Sequence, residues 1–154
     1  VFYMIKGRHV VKTGGRVVAE GDPAVLGLLA TYFGTVYRIS VQDTTGMPQT
    51  LDRVKPDSFA VGIANRNLQG TCATTDTAVG GTVIAEAVSA IEFTGSAYVL
   101  KAKFTPADQI TFDTVYAVAK YPTFTVLIYR GCHSTPIIVG LGETVEVEIS
   151  FTVS

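Results

Sequence analysis

The chain has no tryptophan, and in 154 residues it has only two cysteines, two histidines and two methionines. Charge is scarce as well: Asp, Glu, Lys and Arg make up 16% of positions, against about 25% in an average globular domain. Each scarcity excludes something. The 12 basic and 13 acidic residues nearly cancel and are scattered singly, so no basic stripe tracks a phosphate backbone and nucleic acid is not an expected partner. No run reaches the roughly 18 apolar residues of a membrane helix. The longest candidate, "AVLGLLATYF", is too short to span and too far inside the chain for a signal peptide, so membrane insertion is not expected. The chain opens on "VFYMIKG" without an initiator Met: either it starts after processing or Met4 is an internal codon, and removal of a leader would imply export. A surface this poor in charge suits a subunit packed against other subunits.

What is present is apolar and periodic. From Thr144 to Val153 side chains alternate without a break, with Thr144, Glu146, Glu148, Ser150 and Thr152 on one face and Val145, Val147, Ile149, Phe151 and Val153 on the other. Successive strand residues point to opposite faces, so this is a half-buried strand whose apolar set packs into a core. From Thr82 onward six such runs follow one another, separated by "TGS", "TPADQ", "YP", "GCHST" and "GLGE". Interruptions so short exclude βαβ crossovers and indicate antiparallel strands. Before Thr82, "VFYMIKGRHVV" and "RVVA" flank a "KTGG" turn, and "TVYRISVQ" and "FAVGIAN" read as further strands. Between these last two, "DTTGMPQTLDRVKPDS" has two prolines and a glycine and reads as a long loop.

One segment has helix chemistry. In "EGDPAVLGLLATYFG", Asp22 is the N-cap, Pro23 the first helical residue and Gly34 the stop. The expected architecture is one all-β domain over residues 1–154: an antiparallel two-sheet sandwich, jelly-roll-like, with one short helix near residues 23–33. A chain of this length buries roughly 70% of its unfolded surface and folds without a metal.

Reactive constellations are missing. Cys132, His133, Cys72 and His9 have the ligand types of a tetrahedral zinc site, but adjacent Cys and His side chains diverge on a strand and no knuckle spacing holds two ligands together. No nucleophile has a recognisable base and third partner. Neither catalytic residues nor a metal or other cofactor are expected, and the chain does not read as an enzyme. Cys72 and Cys132 have two readings: a disulfide closing a loop of about 60 residues, worth roughly 4 kcal/mol and suited to an extracellular setting, or two unpaired small hydrophobes. Glu146 and Glu148 could face a cation or simply solubilise their strand.

In the second half, Asp76 to Val79, Gly95 to Phe104, Ile110 to Val115, Leu127 to Arg130 and Pro136 to Val153 form a succession of strand motifs. In these segments the chain resembles the β-rich virion structural proteins of tailed phages and archaeal viruses. The resemblance implies a coat, decoration or fibre subunit at an extracellular or virion surface, with copies of itself and other coat or filament proteins as partners. A second reading is a subunit of a cell-surface filament in which residues 1–11 form an arm or donor strand completing a neighbour's sheet. A third is a small ligand-binding module using loop aromatics such as Tyr121. Assembly contacts are expected at Val1, Phe2, Tyr3, Met4 and Ile5 and, in the long loop, at Met47 and Pro48.

Overall fold

The computed structural model describes residues 5–21, 38–52, 56–70, 72, 77–95 and 97–153. The helix expected near 23–33, and Val1, Phe2, Tyr3 and Met4, lie outside these residues. The described chain is all β: β1 (Ile5–Thr13), β2 (Arg16–Gly21), β3 (Arg38–Gln42), β4 (Pro48–Asp52), β5 (Ser58–Asn65), β6 (Thr82–Ser89), β7 (Glu92–Phe93), β8 (Tyr98–Phe104), β9 (Ile110–Lys120), β10 (Thr125–Val139) and β11 (Val145–Val153). One sheet runs β2-β1-β11-β8-β7, a second β10-β9-β5-β6, and β3 pairs with β4. All pairings are antiparallel.

The expected hairpin at "KTGG" forms. Gly14 and Gly15 both take positive φ, +57° and +78°, the backbone that a two-residue hairpin turn needs to match strand twist. β1 therefore pairs within its own sheet, with β2 on one side and β11 on the other. The last strand is central: Val145, Val147, Ile149 and Phe151 are buried in the core between the sheets. Val153 pairs with Ile5 at the far end of the same ladder. On the outer face Glu146 lies between Lys12 and Lys103, and Glu148 is opposite Lys101. These carboxylates are cross-strand charge partners in mid-sheet, not edge protection.

Two sequence readings are corrected. The stretch 43–58 is not one long loop, because Pro48–Asp52 forms β4. The Asp43 carboxylate organises the turn before it, accepting from the Thr45 hydroxyl and N–H and from the Met47 N–H at 2.6, 2.9 and 3.0 Å. The Thr45 hydroxyl, with the other donors, lowers its pKa to about 2. Likewise "TFTVLIYR" and "PIIV" are one 15-residue strand, β10. "GCHST" is a bulge, not a turn: from Cys132 to Ile137 the strand advances five residues while β9 advances two, from Thr114 to Phe112.

In the four-stranded sheet, β5 and β9 are buried on both faces. Phe59, Val61, Ile63, Val115 and Ala117 face the central core, whereas Ala60, Ala64, Tyr116, Val118 and Leu127 form a second apolar cluster on the opposite face. Such double burial explains why β5 and β9 read as almost continuous apolar runs. Gly62 lets the Tyr116 ring lie directly across β5, and the Tyr116 hydroxyl donates to Glu86 at 2.8 Å.

Candidate functional site: a histidine pair between the sheets

β1 sends Gly7, His9, Val11 and Thr13 inward. His9 is thus an imidazole where alternation calls for an apolar residue, and it is 1% exposed. Backbone without side chains makes room for it. A Cβ on Gly21, its register partner on β2, would fall 2.7 Å from the His9 ring, and one on Gly131 of β10 would be closer still.

Both ring nitrogens are used. Nδ1 lies 2.6 Å from the Tyr129 hydroxyl and Nε2 lies 2.7 Å from Nε2 of His133. The rings meet edge to face, at 77° for Tyr129 and 84° for His133. A neutral imidazole has one N–H, so His9 donates to one partner and accepts from the other. If His9 accepts from His133, its Nδ1–H donates to Tyr129, whose own proton points toward the Gly21 carbonyl 3.5 Å away. In the alternative, Tyr129 donates to Nδ1 and His9 donates to His133.

The β10 bulge is what turns His133 toward His9, and two attachments fix its backbone. Cys132 is joined to Cys72 in a disulfide with Cα atoms 5.9 Å apart. Arg66 donates from Nη2 to the His133 carbonyl at 3.0 Å, and from Nη1 to the carbonyls of Gln69 and Gly70. Arg66 is itself anchored: Nε lies 3.9 Å from Asp113 Oδ1, and the buried Asp113 carboxylate accepts the backbone N–H groups of Arg66 and Leu68 at 3.0 and 2.8 Å. That caps a tight turn in which Asn67 and Leu68 take positive φ.

Burial sets the electrostatics. Desolvation, then the neighbouring His133 and Arg8, lowers the His9 pKa to about 4. His133 is also lowered, by desolvation and the Arg66 charge against the opposing pull of Asp113. Burial pushes the Asp113 carboxyl up, but the Arg66 and Leu68 N–H groups, the Thr114 hydroxyl and the Arg66 charge outweigh it and hold it below the usual range. Both imidazoles are therefore neutral near pH 7. His133 also lines an open groove of about 420 Å³ between β2 and the end of β10, with Val18, Glu20, Pro136 and Ile138.

The four residues weighed as a zinc set do converge, but in other chemistry. Both thiols are spent in the disulfide and the imidazoles bond to each other. The sequence left disulfide and free thiols open; the structure joins them. Tyr129, Gly21, Gly131, Arg66 and Asp113 were not anticipated. Only the glycine beside a run of strand formers, as in "YRGCH", could have hinted at a close approach. Tyr121, expected as a loop aromatic, is buried and stacked on Phe124 with centroids 4.8 Å apart. Met47 is 60% exposed at the β3–β4 turn and Pro48 opens β4 beside it; Ile5 begins β1. Comparison with protein families, with curated proteins and with solved structures finds no match to this chain.

Proposed function

We propose that this chain is a non-enzymatic structural subunit of an extracellular assembly, of the virion coat, decoration or fibre kind. The observation behind the reading is the placement of exposed apolar side chains on two opposite lateral edges. On one, Val83 and Val88 of edge strand β6 and Phe93 of edge strand β7 are 49%, 70% and 62% exposed. On the other, Val17 and Val18 of edge strand β2 and Ile138 of edge strand β10 are 48%, 37% and 60% exposed.

Edge strands are templates for further pairing unless charge, proline or a cover blunts them. β6 has a single charge, Glu86, already engaged by Tyr116 and Lys120. Two different apolar edges on one subunit favour head-to-tail contacts, which close into rings or run on as filaments. The disulfide suits an extracellular setting. The resemblance of the second half to virion structural proteins points the same way.

Strand donation by residues 1–11 draws less support, since β1 already has a partner on each side. A ligand-binding module loses its chosen aromatic, because Tyr121 is buried. A jelly-roll relation has in its favour the adjacency of first and last strands, β1 beside β11. Against it, β1–β2, β5–β6, β7–β8 and β9–β10 each fold back within one sheet, and we do not extend the reading that far.

Val88→Lys and Ile138→Lys test the proposal, one on each edge. Both side chains are mostly in water, so the fold is expected to survive. Loss of multimers in light scattering with unchanged circular dichroism supports edge-to-edge assembly; multimers that persist in both variants contradict it.

A further inference from the structure

The pair His9–His133 joins the two sheets by a side-chain hydrogen bond at the β2/β10 edge, and its chemistry limits how many protons it can hold. The neutral pair needs one N–H between the two Nε2 atoms, 2.7 Å apart. A first added proton is accommodated, because one imidazolium can donate to the other ring's lone pair. A second is not, for then two N–H groups face each other with no acceptor between them.

We propose that the His9–His133 contact is an acid-operated latch: double protonation expels the His133 ring into the groove beside β2 and releases the 133–136 bulge, while the rest of the sandwich stays folded.

Four features of the site favour a latch over general acid unfolding. His9 cannot retreat, since Gly21 and Gly131 enclose its ring and Tyr129 holds Nδ1. His133 can, because it is partly exposed and borders the groove. The disulfide at Cys132 and the Arg66 bond to the His133 carbonyl keep the backbone at the hinge in place. The residues after it, Ser134 to Pro136, pair with no strand in the β9 register and are exposed.

The charged groups around the pair set its two protonations apart. Arg8, next to His9 on β1, and Arg66, beside His133 from the turn after β5, both oppose added positive charge. Asp113 on β9 favours a charged His133, so the first proton resides there. Glu20, the charged residue lining the groove, offers a released imidazolium a carboxylate partner, although it is shared with Arg8 at 2.6 Å. The low pKa of His9, about 4, agrees with a second protonation well below the first.

The test is an NMR titration of both imidazoles and of the backbone amides, on the intact disulfide-bonded chain, from pH 8 down to about pH 3.5, a range that brackets ordinary histidine titration. The expected result is two steps more than about one pH unit apart, the lower one accompanied by amide shifts at Gly21 and Gly131 to Ile138 and by loss of contact between the two rings. His133→Gln keeps a hydrogen-bonding side chain but cannot charge; in it the lower step's amide shifts should vanish. Two imidazoles that titrate together near pH 6.5 without those shifts overturn the latch, as do shifts that survive in His133→Gln. If that variant does not fold, the wild-type titration decides alone.

Discussion

The Nε2 atoms of His9 and His133 lie 2.7 Å apart although 124 residues separate them in sequence. Two sheets and a disulfide meet at this contact, and neither histidine has another of its kind to turn to. Its first consequence is a pH dependence of global stability. Both histidines have pKa values lowered by folding, so the unfolded chain binds protons first as pH falls. Stability is therefore full above about pH 6.5 and declines below it, by up to about 1.4 kcal/mol per pH unit for each histidine, until the folded-state value is passed. For His9 the window closes near pH 4. Urea midpoints should stay level from pH 7.5 to about 6.5 and fall from there to pH 4.5; a flat profile throughout would mean that folding does not lower the imidazole pKa values.

The glycines enclosing His9 are expected to be intolerant of any side chain. Gly131→Ala and Gly21→Ala each force a methyl group into the imidazole, and overpacking of this kind costs about 1–3 kcal/mol. Alanine at Gly14, by contrast, meets no neighbour, and there the cost comes from its positive φ. Thermal denaturation of the two core variants should show the loss, and pairing either with His9→Ala should recover part of it, since the clash is with the ring itself.

The disulfide closes a span of 60 residues, so Cys72→Ser with Cys132→Ser, or reduction, is expected to cost about 2–5 kcal/mol. It should also loosen the bulge that presents His133. The decisive comparison is local: imidazole signals of His133 that stay unchanged on reduction would show that Arg66 alone fixes the bulge.

Ile149→Asp places an unpaired charge in the centre of the core, where Ile149 is fully buried, and should prevent folding. Glu148→Lys on the same strand points outward and is tolerated by the fold. It replaces an attraction to Lys101, opposite it on β8, by a repulsion worth about 0.2–1 kcal/mol. Soluble, folded Ile149→Asp protein would mean that the two faces of β11 are inverted.

Much of this fold is legible in the chain because one-sided burial writes itself as alternation. Thr144 to Val153 is the clearest case, and Val145, Val147, Ile149 and Phe151 of its inward set are buried. Legibility fails where side chains override the local pattern. The Asp43 carboxylate converts an apparent loop into a hairpin turn, and nothing in "DTTG" announces how many donors it gathers. The bulge at Cys132–Ile137 hides inside a stretch that looks like a turn, because it contains a glycine, small polar residues and Pro136. The histidine pair is illegible for a different reason: its partners come from β1 and β10, and only the register of two sheets brings them together. Burial likewise leaves the first half of β10 apolar nearly throughout, although the strand stands at an edge of its sheet.

Self-assembly through the two apolar edges is the central claim, and the most direct measurement is the molar mass of the purified chain by light scattering over a range of concentration, with negative-stain images of the same samples. Rings, rods or a fixed multimer should grow in with concentration. A monomer that persists at high concentration, with Val88 and Ile138 still bare to water, would contradict it.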